Sequence, residues 1–131
     1  MPSATVVADQ LNFTADEGAV RSLAFTLQDS ATPPNPINLT GIVLEFVAQA
    51  LDGTKVVSIL TTDVSNPMGS LVVGTPATNG QLTLNLTGLA TVAMFNTRGG
   101  YVYWSLWYQP GTASAQSSLN GQIVVRRVAQ P

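Results

Sequence analysis

The sequence predicts an all-β protein, an antiparallel β-sandwich with one short helix near 88–96. Three observations predict it. Apolar residues recur at every second position in several short runs. Turn residues separate those runs at intervals of about eight to twelve residues, and only one stretch trades the two-residue period for a helical one. The length of 131 residues fits one domain, organised as an N-terminal arm or first strand over 1–10 and a single β-sandwich over 11–131.

The elements follow from local pattern. Thr5, Val6 and Val7 alternate within the Met1–Gln10 arm, which reads either as an ordered first strand or as a donor strand for a neighbour. Leu23, Phe25 and Leu27 alternate with Ala24 and Thr26, giving a half-buried strand over 20–28. Pro33, Pro34 and Pro36 fall in the loop that follows. Ile42, Leu44, Phe46 and Ala48 form a second set over 42–50, and Lys55 to Leu60 begins a third over 55–62. The Asp52-Gly53 pair between them is a hairpin signal, because glycine accepts the positive φ that the turn demands. Asp63 to Met68 reads as a loop and Leu71-Val72-Val73 as a short edge strand. Asn79-Gly80 turns into Leu82, Leu84 and Leu86. Thr87 caps the helix at 88–96, and Gly99-Gly100 ends it. The strongest strand is Tyr101 to Tyr108, followed by a polar loop over 112–118 and a final strand over 122–128 that pairs with it.

Composition excludes several functions. Hydrophobic residues make up 45% of the chain and charged residues 9%, against about a quarter in ordinary domains, so the chain collapses rather than remaining disordered. Much of its surface is then neutral, and such a surface often lies against a partner. Five basic residues cannot neutralise a phosphate backbone, and Arg126-Arg127 reads as a solvated strand end, so no nucleic acid is expected. No apolar run approaches the ~20 residues of a membrane helix, and Met1 to Thr5 has no secretory signal pattern, so no membrane partner is expected. The absence of cysteine and histidine excludes disulfides, thiolate and imidazole metal sites, and a Ser-His-Asp triad. The lack of disulfides in so small a domain favours folding in a reducing compartment. Asn12, Asn38 and Asn85 begin sequons that then read as chance matches.

Catalysis would require a carboxylate pair, roughly 5 to 10 Å apart for glycoside hydrolysis. Asp29, Asp52 and Asp63 fall in turns or loops, as do Asp16-Glu17 before Gly18, where carboxylates satisfy local backbone. Glu45 is the exception within a strand and reads as lying on an open sheet face or a subunit seam. No calcium-type spacing of acids appears. No catalytic residue, metal or cofactor is expected. The partner-binding candidates are Tyr101, Tyr103, Trp107 and Glu45. Tyr101, Tyr103 and Trp107 point to one side of their strand, and Val102, Trp104, Leu106 and Tyr108 to the other. The core takes one set. The other set is covered by the helix or a loop, anchors a protein interface, or stacks on sugar rings.

The order of these elements, with Asn38-Leu39-Thr40-Gly41 stepping into Ile42-Val43-Leu44-Glu45-Phe46 and with Gly80-Gln81-Leu82-Thr83-Leu84, resembles a known family. The chain is similar, over roughly 10 to 128, to the Ig-like N-terminal domain of the baseplate upper proteins of tailed bacteriophages and related small tail and fibre modules. The resemblance implies an Ig-like or jelly-roll-type sandwich and a non-enzymatic structural virion protein docking to tail, baseplate or fibre components. Because it ends at Pro131 without the helical or receptor-binding parts of larger baseplate proteins, the chain reads as a stand-alone module. Small β-sandwiches also serve as capsid decoration, or cement, proteins over capsomer joints, which is the alternative. A carbohydrate-binding sandwich using the Tyr101, Tyr103 and Trp107 face is the third. Expected partners are other virion proteins, of the tail and baseplate or the major capsid protein, together with further copies in a homo-oligomer. The expected location is the virion, after synthesis in the host bacterial cytoplasm.

Overall fold

The computed structural model describes residues 5–6, 12–28, 32–97, 101–113 and 116–127. Among them the chain is an all-β sandwich with one short helix. The strands are β1 (Thr5–Val6), β2 (Phe13–Asp16), β3 (Arg21–Gln28), β4 (Leu44–Gln49), β5 (Lys55–Leu60), β6 (Gly69–Val73), β7 (Gln81–Leu86), β8 (Tyr101–Tyr108) and β9 (Gln116–Arg126), with helix α1 (Gly88–Phe95) between β7 and β8. One sheet has the order β1-β3-β7-β6 and the other β2-β9-β8-β4-β5.

Alternation places the core between the sheets. Phe25 and Leu27 of β3, Leu82, Leu84 and Leu86 of β7, and Phe46 and Ala48 of β4 are buried while their neighbours face outward. Trp104 is the centre, with its ring 5.6 Å from Phe25, 5.9 Å from Phe46 and 6.1 Å from Phe13, so both sheets pack on one indole. The β4–β5 hairpin forms as its Asp52-Gly53 pair implies. Gly53 sits at φ +89°, its N–H donates to Ala50, and Asp52 Oδ1 accepts from Thr54 N at 3.0 Å.

Helix α1 closes one end of the sandwich. The Thr87 hydroxyl oxygen accepts from Ala90 N at 3.3 Å, the expected cap, and donates to the Pro67 carbonyl at 2.8 Å. Ala90 and Met94 enter the core. Thr91, fully buried, accepts from Gly18 N at 3.0 Å, and its hydrogen faces the carbonyls of Ala19 and Gly88. Gly88 approaches the β2–β3 turn so closely that a Cβ would stand 2.5 Å from Gly18 O, which makes glycine necessary there.

Two features differ from the sequence expectation. Pairing is not antiparallel throughout, because β2 runs parallel to β9, with Phe13 beside Ile123 and Asp16 beside Arg126. Polar groups at both ends fix that register. Asn12 Oδ1 accepts from Gln122 N at 2.9 Å, Glu17 N donates to Arg126 O at 2.8 Å, and Asp16 and Glu17 pair with Arg126 and Arg127 at 2.9 and 3.3 Å. The Arg127 guanidinium also lies 4.7 Å from the Phe95 ring centroid, so this strand end is braced as well as solvated. The last strand is also longer than 122–128 and begins at Gln116, inside the expected polar loop. Pairing uses backbone groups that serine and glutamine carry as well as valine does, and β8 supplies partners as far as Tyr108. Thr5–Val6 pairs with β3 of its own chain. The rest of the expected 1–10 arm, Asp29, Gly99-Gly100 and Val128 lie outside the described residues.

Candidate functional site

The two sides of β8 have opposite fates. Val102, Trp104 and Leu106 are at most 1% exposed, whereas Tyr101, Tyr103 and Trp107 are 49, 50 and 36% exposed. Helix α1 packs into the core and leaves the aromatic row uncovered. Register assembles the rest of the face. Glu45 of β4 stands directly opposite Trp107, Val47 opposite Ser105 and Gln49 opposite Tyr103. On the other flank, Gln122 of β9 lies beside Tyr103 and Val124 beside Tyr101. All four candidates therefore share the outer face of the five-stranded sheet, and Glu45 and Trp107 are immediate neighbours.

Glu45 is held in place. Ser58 Oγ donates to its carboxylate at 2.5 Å, and Lys55 Nζ approaches to 3.8 Å, leaving the Glu45 side chain 12% exposed. The other described charges on this face, Asp16 and Arg126, also form a pair. The face is thus electrically balanced in opposite pairs, each modest in energy where solvent reaches it. A shallow depression of about 250 Å³ opens beside Trp107, lined by Glu45, Val47, Gln49, Lys55 and Pro110. A second, of about 310 Å³, lies along Tyr103, Ser105, Asn12 and Gln122.

Sequence reasoning did not single out Val47, Gln49 or Lys55. Val47 is an outward residue yet only 3% exposed, enclosed by its neighbours on the face. The signal for Gln49 and Lys55 was present in the Asp52-Gly53 turn, which sets them opposite each other across the hairpin through a bulge at Ala48/Gln49. Their proximity to Trp107 depends on β4–β8 pairing, which joins segments some fifty residues apart and leaves no local mark. Among the described residues no cluster of three or more acidic, histidine or cysteine side chains is placed to hold a metal.

No protein-family model and no curated protein matches this chain.

Proposed function

We propose that this protein is a non-enzymatic structural virion protein of a tailed bacteriophage, an Ig-like sandwich that docks to tail, baseplate or fibre components through the outer face of its five-stranded sheet. The observation that carries the reading is the uncovered row Tyr101, Tyr103 and Trp107 on a charge-balanced face. Tyrosine and tryptophan dominate the buried centres of protein interfaces, and charge is depleted there. Taking a half-exposed aromatic out of water contributes on the order of 2 kcal/mol at ~25 cal/mol per Å². The similarity in element order to baseplate upper protein domains supports the same reading. Quantitative mass spectrometry of purified particles tests it. A copy number matching tail or baseplate symmetry is expected, a number scaling with the capsid lattice makes the protein a decoration protein, and absence from particles removes both.

The depression beside Trp107 supports a second reading, a glycan site. An indole with a carboxylate, an amide and an ammonium at its rim offers both a stacking surface and hydroxyl partners. Binding on an array of host glycans, abolished by Trp107→Ala, favours it; no binding to any glycan on the array rejects it.

A further inference from the structure

The two edges where the sheets meet at the 61–68 loop are treated differently by the chain. At β5, Thr61 N donates to Leu44 O across the hairpin, so the backbone groups of Ser58 and Leu60 point away from β4. The loop occupies three of these four groups. Asp63 Oδ2 accepts from Leu60 N at 2.9 Å, Asp63 N donates to Leu60 O at 3.1 Å, and Asn66 Nδ2 donates to Ser58 O at 2.8 Å. A second bond, Asn66 Nδ2 to Asp63 Oδ2 at 2.8 Å, braces the plug. Donation from Leu60 N and Asn66 holds the Asp63 carboxyl below its ordinary value. An edge plugged in this way cannot accept another strand.

The β6 edge has no such plug among the described residues. Thr87 N donates to Met68 O and Gly74 N to Gln81 O, so Ser70 and Val72 are bonded to β7 while the N–H and C=O of Leu71 and Val73 point outward. Only Gly69 N, at the start, is used, by Asn66 O at 3.1 Å. The strand Gly69-Ser70-Leu71-Val72-Val73 has no charge, no proline and no bulge, the usual devices that protect an edge. Val72 is 50% exposed on it, and Val64, in the adjoining loop, is 98% exposed.

We infer that β6 is a strand-addition edge whose occupant is β6 of a second copy of this chain, joined antiparallel about a two-fold axis at Leu71. Two identical uncharged strands are self-complementary in that arrangement, as a two-fold interface requires. Setting Leu71 against Leu71 and Gly69 against Val73 brings each outward group to a free counterpart, except the Val73 C=O, which faces the Gly69 N–H already bonded to Asn66 O. Four interchain bonds then form without disturbing the Gly69–Asn66 bond: two between the Leu71 residues, and one from each Val73 N to the opposite Gly69 O. The two four-stranded sheets become one continuous sheet, and the aromatic face stays open for its own partner. The inference does not depend on the proposed function.

Sedimentation velocity over a concentration series, with backbone hydrogen exchange followed by NMR, tests it. A reversible dimer is expected, with the Leu71 and Val73 amides protected alongside those of Ser70 and Val72. Val72→Lys, on an exposed side chain, places two ammonium groups diagonally across the seam and weakens the dimer by about tenfold or more. In that variant only the Leu71 and Val73 amides become fast to exchange, while Ser70 and Val72 stay protected, which separates loss of the seam from loss of the fold. A wild-type chain that remains monomeric at the highest concentration overturns the inference. So does a dimer in which the Leu71 and Val73 amides exchange freely.

Discussion

The two outer faces of the sandwich solve the same problem in opposite ways. On the four-stranded sheet Val72 of the edge strand is the exposed large apolar residue, and Ser22, Asn85 and Ser70 satisfy one another across the outward side. Ser22 Oγ donates to Asn85 Oδ1 at 2.8 Å, and Asn85 Nδ2 donates to Ser70 Oγ at 3.1 Å, so a ladder of hydrogen bonds crosses β3, β7 and β6. On the five-stranded sheet the outward residues of β8 are tyrosine, tyrosine and tryptophan, with Val47 enclosed among their neighbours. A face of short hydroxyl and amide side chains is complete in water. A face that leaves three large aromatics in solvent keeps apolar area available for a partner to cover. The proposed docking face rests on this difference.

The largest expected effect calibrates the comparison with the inner side of the same strand. Trp104→Ala empties the space shared by Phe13, Phe25 and Phe46, and is expected to cost about 3–5 kcal/mol in denaturant unfolding. Trp107→Ala, three residues on, is expected to cost about 1 kcal/mol or less in the same experiment, since it loses only surface cross-strand contacts with Glu45 and its neighbours. Under the proposed function its effect lies in docking. The double variant Tyr103→Ala/Trp107→Ala is expected to weaken incorporation into particles by about 2 kcal/mol or more, as interface hot spots do, read as copies per particle by mass spectrometry. A variant that unfolds as readily as Trp104→Ala would break the distinction between the two sides of β8.

The polar face supplies the control. Asn85→Ala removes both side-chain bonds of the ladder and is expected to cost about 0.5–1.5 kcal/mol of stability while leaving incorporation unchanged. The smallest effect concerns the β5 plug. The folded-state pKa of Asp63 is lowered from 3.8, so its contribution to stability is fully present above that value and is lost as pH falls through the lower folded value. Thermal unfolding of wild type should therefore decline more than that of Asp63→Asn as pH falls below about 4. Parallel declines would show that the carboxylate adds nothing to the plug.

Much of this was legible in the residues. The two-residue period in β3, β7 and β8 separates inward from outward side chains, and it puts Tyr101, Tyr103 and Trp107 on the side opposite Trp104 whatever strands pair with β8. Thr87 and the Asp52-Gly53 pair marked a helix start and a hairpin through chemistry confined to three or four residues. What was not legible depends on which strands become neighbours. Period two assigns a face but names no partner, so the parallel β2–β9 pair, the Asp16–Arg126 and Glu17–Arg127 clamps, and the seat of Glu45 beside Trp107 all required the sheet order. Asp63 read as an ordinary loop acid, because its role is to occupy backbone that only the folded hairpin leaves exposed.

The most direct test of the aromatic face is hydroxyl-radical footprinting of the isolated protein and of purified phage particles containing it. Labelling of Tyr101, Tyr103 and Trp107 is expected to be high in the isolated protein and to fall to the level of buried Trp104 in particles, while exposed Val20 and Leu89 label equally in both. Equal labelling of the three aromatics in the two states would contradict the assignment of this face as the docking surface.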